Sequence, residues 1–254
     1  ADLYIISGYS DYIEKGIDIY SNVLDTVEKL YGPYSDYYYE LLLNSHISLS
    51  ISNNEEEAYE ILRDIADELL LIISDKNFNH IKPLKVAVLL RSCAECYFNT
   101  GQYEKAYPLI ENSIELLSDL PNYELELAQS LLYNANFKST YSQYKEASDL
   151  YIKIAQICQK YKYREMAISY YCDALYGFKF NNNISEATKV IKILEQQFPE
   201  ALNSLDYLMS KSAILQDKAP DQALNYLNKA LLICKNSGDV LTEAICYYEI
   251  GNIY

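Results

Sequence analysis

The sequence predicts an all-α solenoid built from antiparallel helix hairpins, and three observations predict it. An alanine or glycine, an apolar residue four places on and an apolar or small residue three further recur at Gly16/Tyr20/Val23, Ala58/Leu62/Ile65, Ala106/Ile110/Ser113, Ala147/Tyr151/Ile154, Ala187/Ile191/Leu194 and Ala223/Leu227/Ala230, with anchors 42, 48, 41, 40 and 36 residues apart. A period in this range marks stacked supersecondary units, each of which buries its apolar face only against the next. Half of the 254 residues are hydrophobic, while glycine and proline number only seven and six, so long helices run uninterrupted. The segments between periodic stretches are short, enough for antiparallel neighbours and too little for domain linkers. One elongated domain over 1–254 is therefore expected, with about six repeats and incomplete ones at both ends. Because the pattern starts and stops inside a repeat, the chain reads as a fragment of a longer protein.

The elements follow in order. Helices are expected near 11–30, 35–51, 54–74, 83–100, 103–118, 122–140, 144–160, 163–180, 184–197, 200–215, 220–236 and 239–254. The first carries the Gly16 triplet, the second an apolar face of Leu42, His46 and Leu49. The third opens on Glu55, Glu56 and Glu57, an acidic first turn that complements the helix dipole. The loop Ser74–Lys82 is longer than the others and accounts for the 48-residue step. In the clearest unit, Leu90, Cys93, Ala94 and Tyr97 share one helical face. Gly101 then ends the helix in a left-handed conformation, and Tyr103, Ala106, Leu109 and Ile110 supply the inward face of the next. Alanine lets the backbones approach, and tyrosine fills the space beside it. Pro33, Pro83, Pro121, Pro199 and Pro220 fall at helix starts or between helices, where a missing amide donor costs little. Pro108 falls inside a helix and should bend it or delay its start.

Charge narrows the function classes. Acidic residues number 36 against 21 basic ones, net −15, which works against nucleic acid because phosphate binding requires a cationic footprint. Lys160, Lys162 and Arg164, the densest basic cluster, read as a solvated turn. The acidic excess favours encounter with a basic or neutral partner. No apolar run approaches the ~20 residues needed to cross a bilayer, so neither a membrane nor a leader is expected. The six cysteines, Cys93, Cys96, Cys158, Cys172, Cys234 and Cys246, lie in helices or at their ends without the turn-rich spacing of a disulfide scaffold. Cys158 and Cys234 each lie eleven residues past their anchors, a shared packing position. A reducing cytoplasm is the expected compartment.

Catalysis finds little support. His46 and His80 are the only histidines; one belongs to an apolar face, the other to a long loop, and no orienting group accompanies either. Cys93 and Cys96 form a C-x-x-C, but Cys93 occupies a core position and no second pair completes four ligands. No phosphate-cradling glycine loop is present. No catalytic residue, cofactor or metal is expected.

Tyr247, Ile250, Gly251 and Tyr254 resemble the first-helix pattern of a tetratricopeptide repeat, and Gly101, Tyr103 and Ala106 resemble its turn and second-helix anchor. The resemblance spans nearly the whole chain and implies a right-handed superhelix with a concave inner face lined by first helices. The period exceeds the ~34 residues of the standard repeat and is similar to that of kinesin light chains and of bacterial regulators that sense short peptides. His46, Lys138 and Leu175 depart from the expected small or aromatic residues. The family's chaperone-tail clamp is not matched either. Its positions here hold Arg91 and Glu95, then Leu132 and Asn136, without the paired lysine and asparagine.

The fold so implied places a ligand on the first-helix stripe. Counting from each small first-helix position, that stripe comprises Arg91, Glu95, Asn99, Gln129, Asn136, Tyr176, Lys179, Tyr248 and Asn252. Asparagine and glutamine there can hydrogen-bond a peptide backbone while tyrosines pack its side chains. Of the 28 tyrosines, Tyr97, Tyr103, Tyr151 and Tyr226 fall at inward positions and read as core. The expected function is a non-catalytic scaffold that binds a protein or peptide segment in the concave groove, with self-association left open. The alternative is the ligand-sensing segment of a larger peptide-responsive regulator, for which the output domain is not in this chain.

Overall fold

The computed structural model describes residues 10–32 and 83–254, together with positions 35, 37, 38, 40, 41, 63, 64, 66, 67, 70 and 71. Among the described residues the structure is all helix, with no strand. In chain order the helices are α1 (Ser10–Tyr31), α2 (Pro83–Asn99), α3 (Tyr103–Ser118), α4 (Glu124–Thr140), α5 (Tyr144–Lys160), α6 (Arg164–Phe180), α7 (Ile184–Gln197), a 3-10 turn at Pro199–Asn203, α8 (Leu205–Leu215), α9 (Pro220–Ser237) and α10 (Val240–Ile253). None is long and apolar enough to cross a membrane. The helices expected near 35–51 and 54–74, the Ala58 triplet, the glutamates 55–57, both histidines and the loop 74–82 lie largely or wholly outside the described residues.

Two compact units emerge, 1–133 and 134–254. In the first, α2 and α3 form a hairpin. Ala87, Cys93, Ala94 and Cys96 of α2 are fully enclosed, as are Ala106, Ile110 and Ser113 of α3. Ser113 reconciles a hydroxyl with that interior by donating to the Ala87 carbonyl at 2.7 Å and pairing with Ser130 at 2.9 Å. Tyr97 likewise buries its ring while its hydroxyl donates to Asp67. The anchors behave as expected where described, with two exceptions: Val23 is 41 % exposed, and Tyr151 is half-buried, its hydroxyl reaching outward to Asn136.

In the second unit α5 packs on α6, α6 on α7 and α8, α8 on α9, and α9 on α10. The α5/α6 crossing is close because Gly177 faces Tyr144 and Ser148 without a side chain of its own. Ser148, fully buried, donates to the Tyr144 carbonyl at 2.8 Å and lies 3.0 Å from the Ala174 carbonyl of α6. Arg164 anchors the start of α6 to the end of α7: its guanidinium meets Glu200 at 2.6 Å, donates to the Gln197 carbonyl at 2.8 Å and lies 4.8 Å over the Phe198 ring.

The turns repeat one device. After α2, α4, α5 and α6 the residue one past the last helical turn adopts a left-handed conformation: Gly101 at φ 73°, Ser142 at 58°, Lys162 at 66° and Asn182 at 52°. In each case the following amide reaches back five residues, as in Tyr163 N–H to Cys158 O at 2.8 Å and Gln143 N–H to Lys138 O at 2.8 Å. These are Schellman closures, which satisfy carbonyls left open at a helix end. Only one of the four has glycine, and a left-handed residue with a Cβ costs about 1–2 kcal/mol. Ser142→Gly and Lys162→Gly are each expected to stabilise the protein by about 0.5–1 kcal/mol, the relief exceeding the extra freedom of the unfolded glycine. Thermal melting checks this, and a lowered midpoint would refute it.

Two expectations need correction. Pro108 does not delay its helix: α3 begins at Tyr103 and runs through the proline. The reason is exposure, since Pro108 lies on the solvent side and water can serve the Glu104 carbonyl that loses its donor. The helix expected at 200–215 begins only at Leu205. Ser204 breaks the run with an extended backbone, φ −75° and ψ 147°, accepts from the Tyr207 amide as an N-cap and donates to the Ala201 carbonyl.

Candidate functional site

The first helices of the second unit, α6, α8 and α10, share an open groove of about 320 Å³ with one residue of α9 at its base. Helix α6 contributes Tyr176, Lys179 and Phe180, α8 contributes Met209, Ser212 and Ala213 with Gln216 just past its end, and α10 contributes Ile245, Tyr248, Glu249, Asn252 and Ile253. Leu227, almost wholly buried, forms the base. The groove exists because residues three and four apart stand on one helical face, so each helix presents a stripe and α8, the shortest, carries Ala213 where a larger side chain would close it.

Four residues of the sequence-derived stripe meet here: Tyr176, Lys179, Tyr248 and Asn252. The other five lie elsewhere. Arg91 is committed to α4, its guanidinium 2.9 Å from Glu126 Oε2 and donating to the Glu126 carbonyl at 3.2 Å, with its side chain 11 % exposed. Glu95 is hydrogen-bonded to Tyr133, whose phenol is pushed up by burial first and by that carboxylate next. Asn99 is half-buried at the end of α2 and Gln129 is exposed on α4. Asn136 accepts the Tyr151 hydroxyl at 2.9 Å.

Sequence reasoning missed the middle of the groove. Met209, Ala213 and Gln216 were findable by the same count, taken from Ser212 as the small residue. The signal was weak because α8 is only 11 residues long and follows a 3-10 turn.

The electrostatics of the groove are set by partners each group has or lacks. Lys179 Nζ donates to Gln216 Oε1 at 2.9 Å. The Tyr176 phenol is pushed up to about 12, chiefly by burial; Ser210 opposes the shift, and the carboxylates of Asp206 and Glu249 add to it. Asp173, one turn before Tyr176, is pushed up to about 6 by burial and then by Asp206. Tyr151 and Tyr170 stack nearby, centroids 6.4 Å apart and planes 11° from parallel, and both phenols are raised by burial first, with Asp173 contributing. The thiols offer no counterpart. All six are free and buried, and burial holds Cys93 and Cys96 far above the usual thiol range and Cys172 at about 12, which suits packing and not nucleophilic work.

Among solved structures, a single-substitution variant of a Podosopora anserina protein described as a kinesin light chain, with nearly identical TPR-like repeats, matches at a TM-score of 0.55 and 16 % identity, covering 79 % of this chain and 94 % of its own. The fold is TPR-like. A second structure of that protein matches at a TM-score of 0.46 and 14 % identity, over 85 % of this chain and 92 % of its own. No protein-family model matches, and no curated protein does. The TPR-like period is visible in the first helices themselves, which start at Pro83, Glu124, Arg164, Leu205 and Val240, in steps of 41, 40, 41 and 35 residues.

Proposed function

We propose that the chain is a non-catalytic binding module that holds a protein or peptide segment in the groove of α6, α8 and α10. The observation that carries this reading is the convergence of Tyr176, Lys179, Tyr248 and Asn252 on one apolar-floored cavity. Tyrosine offers broad contact at low entropic cost, and the amide and ammonium groups at the rim can fix a backbone while Met209, Ala213 and Ile245 take up side chains. The net charge of −15 supports a protein ligand over nucleic acid, and free, buried thiols fit a reducing compartment, the cytoplasm.

A selection from a random-peptide display library against the folded chain tests this. Peptides recovered should lose about tenfold in affinity to a Tyr248→Ala/Asn252→Ala variant, the size of a modest hot-spot truncation. Both side chains are exposed, so circular dichroism and the melting midpoint should not change. Undiminished binding by the double variant would move the site away from this groove.

A further inference from the structure

We infer that the face of α10 turned away from the groove docks a helix of a partner protein, one that carries an alanine-anchored apolar stripe and a net positive charge. This goes beyond the groove reading, because it uses residues that the groove does not.

Val240, Ala244, Tyr247, Gly251 and Tyr254 follow one another at spacings of four, three, four and three residues, which sets them in one stripe along a single side of the helix. None of them lines the groove. Each is exposed, Val240 to 75 % and Tyr254, just past the helix end, to 93 %. Helix α10 packs on α9, and Cys246 is its one buried residue.

The same stripe on other first helices is covered. The counterparts of Gly251 are Ala94 in α2 and Leu175 in α6, and the matching residues are Ala87, Leu90 and Tyr97 in the one, Ile168, Tyr171 and Phe178 in the other; all are buried. What covers them is the second helix of a hairpin. Ser113 of α3 donates to the Ala87 carbonyl at 2.7 Å, and the Tyr171 ring meets Phe198, just past α7, edge-on at 5.9 Å. In α8 the counterpart is Ser212, which donates to the Ala223 carbonyl of α9 at 3.1 Å. Ser113 and Ala223 both belong to the alanine-anchored triplets. The element that fits the stripe is thereby specified: a helix with alanine at its closest contact and apolar or small residues four and seven places on.

Gly251 points the same way. Glycine inside a helix is disfavoured relative to alanine, and what it offers in return is close approach of another backbone. Gly177 makes that approach to α5, whereas a Cβ added to Gly251 would meet nothing within 4 Å. Charge then chooses among helices of this kind. Helix α10 holds Glu243 and Glu249 and no basic residue, and the whole chain carries −15. A helix with a positive balance, as α5 has with Lys145, Lys153 and Lys160 against Glu146 and Asp149, complements that surface. A second copy of α10 would bring only further carboxylate.

A labelled synthetic peptide with the sequence of α5, Tyr144–Lys160, is the probe, and its binding to the 254-residue chain is followed by fluorescence anisotropy. Binding is expected with a dissociation constant on the order of 0.1 mM, because so short a helix must fold as it docks. Gly251→Arg sets bulk and a like charge in the middle of the stripe while improving helix propensity. It should weaken the peptide about tenfold or more, with helical content and melting midpoint not lowered. Ala147→Lys in the peptide should do the same, and Lys179→Ala, in the groove, should leave the affinity as it was. Binding that survives Gly251→Arg but is lost on Lys179→Ala would put the peptide in the groove and overturn the inference. So would no binding at about 1 mM peptide. A dimer of the chain in sedimentation equilibrium that is lost on Gly251→Arg would give the face to a second copy and overturn it too.

Discussion

Gly177→Ala is expected to destabilise the protein by about 2 kcal/mol, although alanine is the better helix former by about 1 kcal/mol. The Cβ it would add runs into Ser148 Oγ and stands 2.8 Å from the Tyr144 carbonyl oxygen. Neither neighbour is the loose end of a long side chain. The Tyr144 oxygen is backbone, and Ser148 is fully buried and held by the Tyr144 and Ala174 carbonyls at 2.8 and 3.0 Å. Overpacking of this sort costs about 1–3 kcal/mol, and here the upper end applies because helix α5 as a whole must retreat. Ser148→Ala alone removes a buried donor and costs about 1 kcal/mol. The two changes share one contact, so the double variant should be less damaged than the sum of the singles. Urea unfolding of the three variants checks this; a Gly177→Ala midpoint at or above the parent's would refute the close-approach argument. Since Gly177 lies between Tyr176 and Phe180, which line the groove, the same retreat should weaken peptide capture.

Asp173→Asn is expected to stabilise the protein near neutral pH and to do nothing at about pH 2. The sign follows from the raised carboxyl, about 6 in the folded chain against an ordinary 3.8. At low pH both folded and unfolded chains hold the proton, and Asp173 makes no difference. Between about pH 3 and 6 the unfolded chain gives it up while the folded chain keeps it, so stability falls as pH rises through that window. Above it the deficit is constant. A shift of this size corresponds to about 3 kcal/mol, which partial exposure and screening reduce to about 1–2 kcal/mol. Asparagine keeps the shape and removes the titration. The difference between the two proteins in urea unfolding should open between about pH 3 and 6 and then stay level. A difference independent of pH would mean that the carboxyl is not held in the environment described.

These two effects mark where sequence reading reached and where it stopped. The bounds of α3, α5 and α7 were legible to the residue, because each begins after a short polar turn and carries an alanine anchor followed by apolar residues on one face. Gly101 announced its turn, whereas Ser142 and Lys162 adopt the same left-handed geometry with no glycine to signal it. The break at Ser204 was hidden inside an apolar periodicity that reads as one helix. Tyr176, Lys179, Tyr248 and Asn252 of the groove were counted from first-helix positions; Arg91 and Glu95 satisfied the same count, yet their charges are engaged by Glu126 and Tyr133.

The sequence by itself determined the order of the helices, the buried anchors and the acidic balance, all of which depend on local periodicity and composition. Only the tertiary structure decided which stripe residues share a groove, why Gly177 has no side chain and why Asp173 holds its proton to about 6. Those properties belong to side chains drawn together from helices tens of residues apart. The angle at which two helices cross, and the partner each charge finds there, are set by long-range packing that a helical period does not encode.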